Sequence, residues 1–237
     1  GQGGTRASSE IGVFMKGMIL AAGLGKRLLP LTKDTPKPLL SVGQCTLIER
    51  VINKLIEHGV DEFIINVSYL SDQIKNKLEY FHQSTNIQFL DEPFPYGTGG
   101  ALVNAISVLG DEPFILCNAD IISESDLTRL PEFTSSAHLI GIKNPDHNLQ
   151  GDFSLAQETV VIKNEMNECT WSGLSLINPS ILKVHEGNAY PFDLWNTILM
   201  PLINESQVTA HADDSFWIDV GTIDRLKLAR ERLKDEN

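Results

Sequence analysis

Met18-Ile19-Leu20-Ala21-Ala22-Gly23-Leu24-Gly25-Lys26-Arg27-Leu28-Leu29-Pro30-Leu31-Thr32 is the stretch from which the fold can be read. Its first three residues are apolar enough for a buried strand. The small residues Ala21, Ala22, Gly23 and Gly25 let the chain turn sharply and bring backbone N–H groups, with that of Leu20, against phosphate oxygens. Arg27 and, in the Pro36-Lys37-Pro38 segment that follows, Lys37 supply full positive charge. Pro30, Pro36 and Pro38 fix backbone angles, so part of the ordering cost of a binding loop is met in advance. The Gly-Lys-Ser/Thr of a Walker loop is missing, and Leu28 stands where a dinucleotide fingerprint needs its third glycine. The run reads as a triphosphate cradle with two cations.

Beyond the loop, Leu47, Ile48, Val51, Ile52, Leu55 and Ile56 recur at helical spacing, with Gly59 where a C-cap belongs. Phe63-Ile64-Ile65-Asn66-Val67 suits a buried parallel strand, and Ser71-Asp72 offers an N-cap for a helix to about Tyr80. Residues 87–90 read as a strand, 99–109 as a helix, and 113–117 as a central strand ending at Asn118-Ala119-Asp120. This alternation predicts an α/β fold: a doubly wound, mostly parallel Rossmann-like sheet that binds ligands beyond its strand C-termini. Residues 137–142, 153–155, 159–162 and 170–177 look like strands without comparable helices between them, which predicts a mixed-sheet lobe walling an acceptor pocket. Helix returns over residues 194–202 and 222–233. With no internal repeat or linker, residues 15–237 are expected to form a single domain. Residues 1–14, glycine- and serine-rich at first, read as an appended extension with Met15 the natural start.

A chain of 237 residues, 42% of them hydrophobic, can bury a substantial core. Cys45, Cys117 and Cys169 are far apart and lack metal-ligand spacing, which suits a reducing compartment, and the cytoplasm is the expected location. The formal charge of -12 speaks against general nucleic-acid or anionic-membrane binding. An acidic chain that binds an anionic nucleotide must concentrate its cations locally, which sharpens the meaning of Arg27 and Lys37. The apolar run at residues 18–22 is too short to span a membrane. No G-x-S-x-G elbow, no H-x-x-x-H pair and no cysteine with a histidine nearby in sequence supports hydrolase or zinc chemistry.

Two aspartates stand at the ends of apolar runs, Asp120 after residues 113–117 and Asp219 within Phe216-Trp217-Ile218-Asp219-Val220-Gly221-Thr222. Either alone suits a turn or a cap. Together beside a phosphate loop they suit Mg²⁺, which prefers a few carboxylates plus substrate phosphate oxygens. The segment Asp91-Glu92-Pro93-Phe94-Pro95-Tyr96-Gly97-Thr98-Gly99-Gly100-Ala101 lies between a strand and a helix N-terminus, where N–H groups face a ligand. Gly151-Asp152-Phe153 and Thr170-Trp171-Ser172-Gly173 complete the candidates; Asp152 can accept from hydroxyls, and Gly173 leaves room for a ring to approach the backbone.

From about Met15 to the C-terminus these motifs resemble the sugar-phosphate nucleotidylyltransferases. The first loop matches their G-x-G-x-R…P-L-T…P-K-P, Asn118-Ala119-Asp120 their (N/G)-x-D, and Trp217-Ile218-Asp219-Val220-Gly221-Thr222 their W-x-D-x-G-T. The resemblance implies that Arg27 holds the β/γ-phosphates and that Lys37 neutralises the α-phosphate and the incoming phosphate. It implies that Asp120 and Asp219 hold the catalytic metal, and that residues 91–101 read the base. Many members have Gln-Pro and Gly-Thr-Ala there, whereas this chain has Glu92-Pro93 and Gly97-Thr98-Gly99-Gly100. Glu92 can accept from uracil N3–H, which leaves backbone N–H at Gly97 or Thr98 to meet a uracil carbonyl. Asn118, Asp152, Ser172 and Gly173 fall on the family's acceptor-sugar wall. The E-K-P lysine of many members is absent, and Lys163 is the nearest substitute.

Within the family the residues look most similar to the N-acetylmuramate 1-phosphate uridylyltransferases of cell-wall peptidoglycan recycling. That likeness implies UTP, a sugar 1-phosphate and Mg²⁺ as partners, and the acyltransferase β-helix that many members carry is not expected here. A mannose- or glucose-1-phosphate nucleotidylyltransferase, or a phosphocholine cytidylyltransferase, uses the same core. A nucleotide-sugar-sensing regulatory subunit is the non-enzyme alternative; the presence of Arg27, Lys37, Asp120 and Asp219 argues against it.

Overall fold

The computed structural model describes residues 15–80 and 85–235, so the expectation of an appended extension at residues 1–14 lies outside the described residues. The first half contains β1 (Met15–Leu20), β2 (Ser41–Val42), β3 (Cys45–Thr46), α1 (Leu47–Glu57), β4 (Val60–Val67), α2 (Ser71–Lys77) and β5 (Asn86–Asp91). There follow α3 (Gly97–Asn104), α4 (Ile106–Leu109), β6 (Phe114–Asn118), β7 (Ile121–Ser123), β8 (Ala137–Lys143), β9 (Ser154–Ala156) and β10 (Thr159–Val161). The chain then forms β11 (Cys169–Ile177), α5 (Met200–Asn204), β12 (Val208–Asp213), β13 (Trp217–Asp219) and α6 (Ile223–Arg232).

One nine-stranded sheet runs through both halves in the order β5-β4-β1-β6-β11-β8-β12-β10-β9. Its first four strands are parallel, and β11 joins both β6 and β8 antiparallel. Strands β1, β4 and β6 are apolar runs because helices and loops cover both of their faces. On one face Ile48, Val51, Ile52 and Leu55 of α1 pack on Phe63 and Ile65 of β4; on the other, Leu102, Phe114, Leu194 and Ile198 share a core. Each such fully buried side chain contributes about 1.5–3 kcal/mol. Helix α1 starts where a capping box closes: Glu49 N–H donates to Thr46 Oγ1, and Thr46 N–H donates to Glu49 Oε2 at 2.8 Å.

From β1 the chain winds through β4 to β5 at one edge and then returns to place β6 on the other side of β1. The order in which strands are added therefore reverses between the parallel strands β1 and β6. Loops leaving the two strands part there and open a crevice beyond their C-termini. The mouth is pinned where Ala119 N–H donates to Leu20 O at 3.0 Å.

Several boundaries differ from the sequence reading. Helix α2 is entered through Leu70 in the left-handed region (φ 53°), so Ser71 is its first residue and makes no side-chain cap. The helix expected over residues 99–109 begins at Gly97 and breaks at Ala105. Residues 195–199 wind as a π-turn, with Met200 N–H bonded to Trp195 O, because Pro201 has no N–H to offer the carbonyl four residues back. Strand β12, absent from the sequence reading, lies between β8 and β10.

Candidate active site

The crevice between β1 and β6 is a cleft of about 570 Å³. All eight residues expected to bind nucleotide line it: Leu20, Ala21, Ala22, Gly23, Gly25, Glu92, Gly97 and Thr98. Gly25 is left-handed at φ 62°, and a Cβ there would lie 3.1 Å from Thr32 Cγ2 and 3.2 Å from Lys37 Cβ. The turn is locked by Thr32, whose hydroxyl donates to Gly25 O at 2.7 Å. The spacing of glycine, threonine and lysine in the opening motif thus records one packed turn that brings Lys37 over the cleft.

The base-side half of the cleft is held by a buried relay. Ala21 N–H donates to Asn66 Oδ1, Asn66 Nδ2 donates to Glu92 Oε2, and Tyr96 N–H donates to Glu92 Oε1, each at 2.8 Å. Burial pushes the Glu92 carboxyl up from its ordinary value, against the pull of its bonds from Tyr96 and Asn66. Glu92 is 4% exposed and both its oxygens accept protein N–H groups, so through Asn66 it ties the segment before α3 to the glycine turn after β1.

The Gly97-Thr98-Gly99-Gly100 run has a packing cause. Residues 190–194 lie across the start of α3: Gly99 and Gly100 N–H both donate to Phe192 O, and Leu194 N–H donates to Thr98 Oγ1. A Cβ on Gly99 would meet Phe192 Cδ2 at 2.7 Å, and one on Gly100 the Tyr190 ring at 2.8 Å. Two amides at the helix N-terminus therefore serve this strap, while Gly97 and Thr98 line the cleft.

A second cleft of about 440 Å³ adjoins the first and shares Arg27, Asn118 and Asp120 with it. Of the expected acceptor-wall residues, Asn118, Asp152, Ser172 and Gly173 line it. Lys163 does not: it forms an ion pair with Glu168 on the surface, so the expectation that it replaces the missing lysine is corrected. The Asp152 carboxylate accepts from Trp171 N–H at 2.8 Å and Asn148 Nδ2 at 2.9 Å and so shapes the wall, with acceptor capacity left on both oxygens. Ser172 turns its hydroxyl to Leu174 N–H. Gly173, at φ 82° in the irregular stretch of β11, makes room for Asn118, whose Nδ2 would stand 2.6 Å from a Cβ. His147, which the sequence did not single out, faces this cleft from a short loop turn.

Between the clefts stand the charged groups. Asp219 ends β13, whose ladder with β7 pairs it with Ile121, and Val220 N–H donates to Asp120 O at 2.8 Å. The two aspartates are thereby neighbours across a strand pair. Lys37 Nζ lies 2.5 Å from Asp120 Oδ2. Asp219 contacts Arg225 Nη2 at 2.7 Å and His147 Nε2 at 3.2 Å. Its Oδ1 is buried and makes no aligned hydrogen bond. Two hard carboxylates that line one cleft suit a small divalent cation that takes its remaining ligands from substrate and water, and among the described residues no group of three or more His, Cys, Asp or Glu is arranged to hold a metal. Arg27 is exposed and, among the described residues, makes no ion pair or side-chain hydrogen bond, so its charge is available at the junction.

The cysteines are free, and burial raises the Cys117 and Cys169 thiols, which leaves them poor nucleophiles. Among the described residues no helix is long and apolar enough to cross a membrane.

The sequence profile of the nucleotidyl transferase family matches residues 16–143. An N-acetylmuramate alpha-1-phosphate uridylyltransferase of Neisseria meningitidis serogroup B is 36% identical over 227 residues, 91% of this chain and 97% of that protein. A mannose-1-phosphate guanyltransferase of Emericella nidulans is 29% identical over 87% of this chain, which spans only 61% of that longer relative. In three dimensions the fold is shared with a UDP-glucose pyrophosphorylase of Acinetobacter baumannii, with a TM-score of 0.74, 19% identity, and coverage of 92% of this chain and 93% of that one. With its phosphate loop, paired aspartates and doubly wound sheet, the chain belongs to the nucleotidyl transferase family, among its sugar-phosphate nucleotidyltransferases.

Proposed function

We propose that the enzyme joins UTP to N-acetylmuramate 1-phosphate with the help of Mg²⁺, releasing pyrophosphate and forming the nucleotide-sugar. One observation carries the reading: two clefts meet at Arg27, Asn118 and Asp120, so a triphosphate in one and a phosphorylated acceptor in the other face each other across the same charges. The uridylyltransferase relative, matched along nearly its whole length, supports the choice of base and sugar.

An oxygen of the acceptor phosphate attacks the α-phosphorus in line, and the bond from that phosphorus to the β-bridging oxygen breaks as pyrophosphate leaves. The attacking phosphate is already ionised at neutral pH, so no general base is needed and catalysis reduces to positioning and charge neutralisation. The glycine turn directs its N–H groups at the triphosphate. Arg27 meets the β/γ-phosphates, while Lys37, 2.5 Å from Asp120, meets the α-phosphate and the incoming phosphate. Asp120 and Asp219 would hold Mg²⁺, which supplies neutralisation of the charge at the reacting phosphate. The free cysteines fit a reducing compartment such as the cytoplasm, and the uridylyltransferase relative supports a place in peptidoglycan recycling. Replacing Lys37 or Arg27 by Ala tests the assignment: each is expected to slow pyrophosphate release by ~10²–10³ with the fold intact. An unchanged rate in either variant contradicts it.

A further inference from the structure

Asp219 is held from behind by a residue six positions further on. Arg225 Nε donates to the Asp219 carbonyl oxygen at 2.9 Å, and Arg225 Nη2 lies 2.7 Å from Asp219 Oδ1. The guanidinium thus grips one aspartate by both its backbone and its side chain, with its own side chain only 15% exposed. It reaches that place because Thr222 caps α6, accepting from Arg225 N–H, and so turns the first helical turn back over β13. Gly221 lies in between. A Cβ there would stand 2.1 Å from Arg225 Nη2 and 2.8 Å from Asp219 Oδ1.

Resting on the reading of Asp120 and Asp219 as the metal pair, we infer that Arg225 is a positioning residue that fixes the Asp219 carboxylate for the metal, and that position 221 is glycine to admit its guanidinium. Two effects of the arginine oppose each other. Its charge repels a nearby cation, whereas its grip restrains a carboxylate that would otherwise rotate. The grip prevails because the guanidinium is anchored to backbone and cannot follow the carboxylate away. The open side of Asp219 is that of Oδ2, faced by His147 in the acceptor cleft.

The test reads metal binding without turnover. Mn²⁺ is titrated against the protein saturated with an α,β-imido analogue of UTP, and the free ion is followed by electron paramagnetic resonance. Arg225→Gln is expected to weaken Mn²⁺ binding by about 10- to 100-fold, the usual effect of losing a group that orients a metal ligand. Arg225→Lys, which keeps the charge and loses the two-point contact with Asp219, is expected to weaken it in the same direction. Binding of the analogue without metal should not change in either variant. Should Arg225→Gln fail to fold, Arg225→Lys decides alone. Mn²⁺ affinity unchanged or tightened in a folded variant overturns the inference while leaving the metal pair standing. Failure of the unaltered protein to bind Mn²⁺ in a manner sensitive to Asp219→Asn overturns the metal reading, and the inference with it.

Discussion

Asn66 is the point at which the nucleotide cleft can be broken without touching a charged residue. It sits at the end of β4, 4% exposed, and joins Ala21 of the phosphate turn to Glu92 of the base loop. Asn66→Ala removes both bonds and leaves a buried N–H and a buried carboxylate oxygen without partners, at about 1–3 kcal/mol each, so a loss of about 2–6 kcal/mol is expected. Asn66→Asp is more discriminating. Its carboxylate keeps an acceptor for Ala21 but brings an oxygen to where the amide donor met Glu92 Oε2 at 2.8 Å. Two such carboxylates must share a proton, which raises the apparent pKa of the pair. The folded state then holds a proton that the unfolded state has lost above about pH 4, so stability relative to the parent falls as pH rises, by about 1.4 kcal/mol per unit up to the apparent pKa of the pair. At low pH the shared proton replaces the amide donor, and Asn66→Asp approaches the parent. Urea unfolding from pH 5 to 8 measures both effects. An Asn66→Ala variant within about 0.5 kcal/mol of the parent, or an Asn66→Asp variant whose deficit does not vary with pH, refutes the relay.

Two further outcomes follow from the same structure. His138 on β8 is bonded through Nε2 to His211 Nδ1 and through Nδ1 to Thr209 Oγ1, both at 2.8 Å, and burial, helped by His211, lowers its pKa to about 4. The unfolded chain takes up a proton near pH 6.5 that the folded chain refuses, so stability is lost as pH falls, by about 2 kcal/mol between pH 7.5 and 5 from this group; His138→Gln should remove most of that slope in urea titrations. Gly99→Ala places a methyl 2.7 Å from the Phe192 ring and 2.9 Å from Asp193 backbone, and should displace the strap over α3. Overpacking of this kind costs about 1–3 kcal/mol, and a calorimetric comparison should also show weakened nucleotide binding.

Most of the nucleotide half was legible because fully buried parallel strands are apolar runs, and because a tight phosphate turn must be built from small residues. Asp120 and Asp219 were legible as charges ending apolar runs. Strand β12 was missed: Val208, Ala210 and Ala212 alternate with Thr209 and His211, and small residues beside a half-buried histidine carry little hydrophobic signal. Asn66 carried a signal that a stricter reading would have used, since an amide inside an apolar strand must find partners. Glycines 99, 100 and 173 were visible, but their cause was not, because the strap and the Asn118 side chain that crowd them come from distant sequence. Arg225 was hidden among the alternating charges of α6. Lys163 went wrong for a related reason: sequence proximity to a family motif does not say which way a strand-end lysine points, and here it meets Glu168.

The most direct test of the account is pyrophosphate release with Mg²⁺ across UTP, dTTP, GTP and CTP, each paired with N-acetylmuramate, N-acetylglucosamine, glucose and mannose 1-phosphates and with phosphocholine. The account predicts release with UTP and N-acetylmuramate 1-phosphate above every other pair. Preference for another pair, such as GTP with mannose 1-phosphate, would contradict the assigned substrates, and silence from all pairs while nucleotide still binds would contradict the transferase chemistry itself.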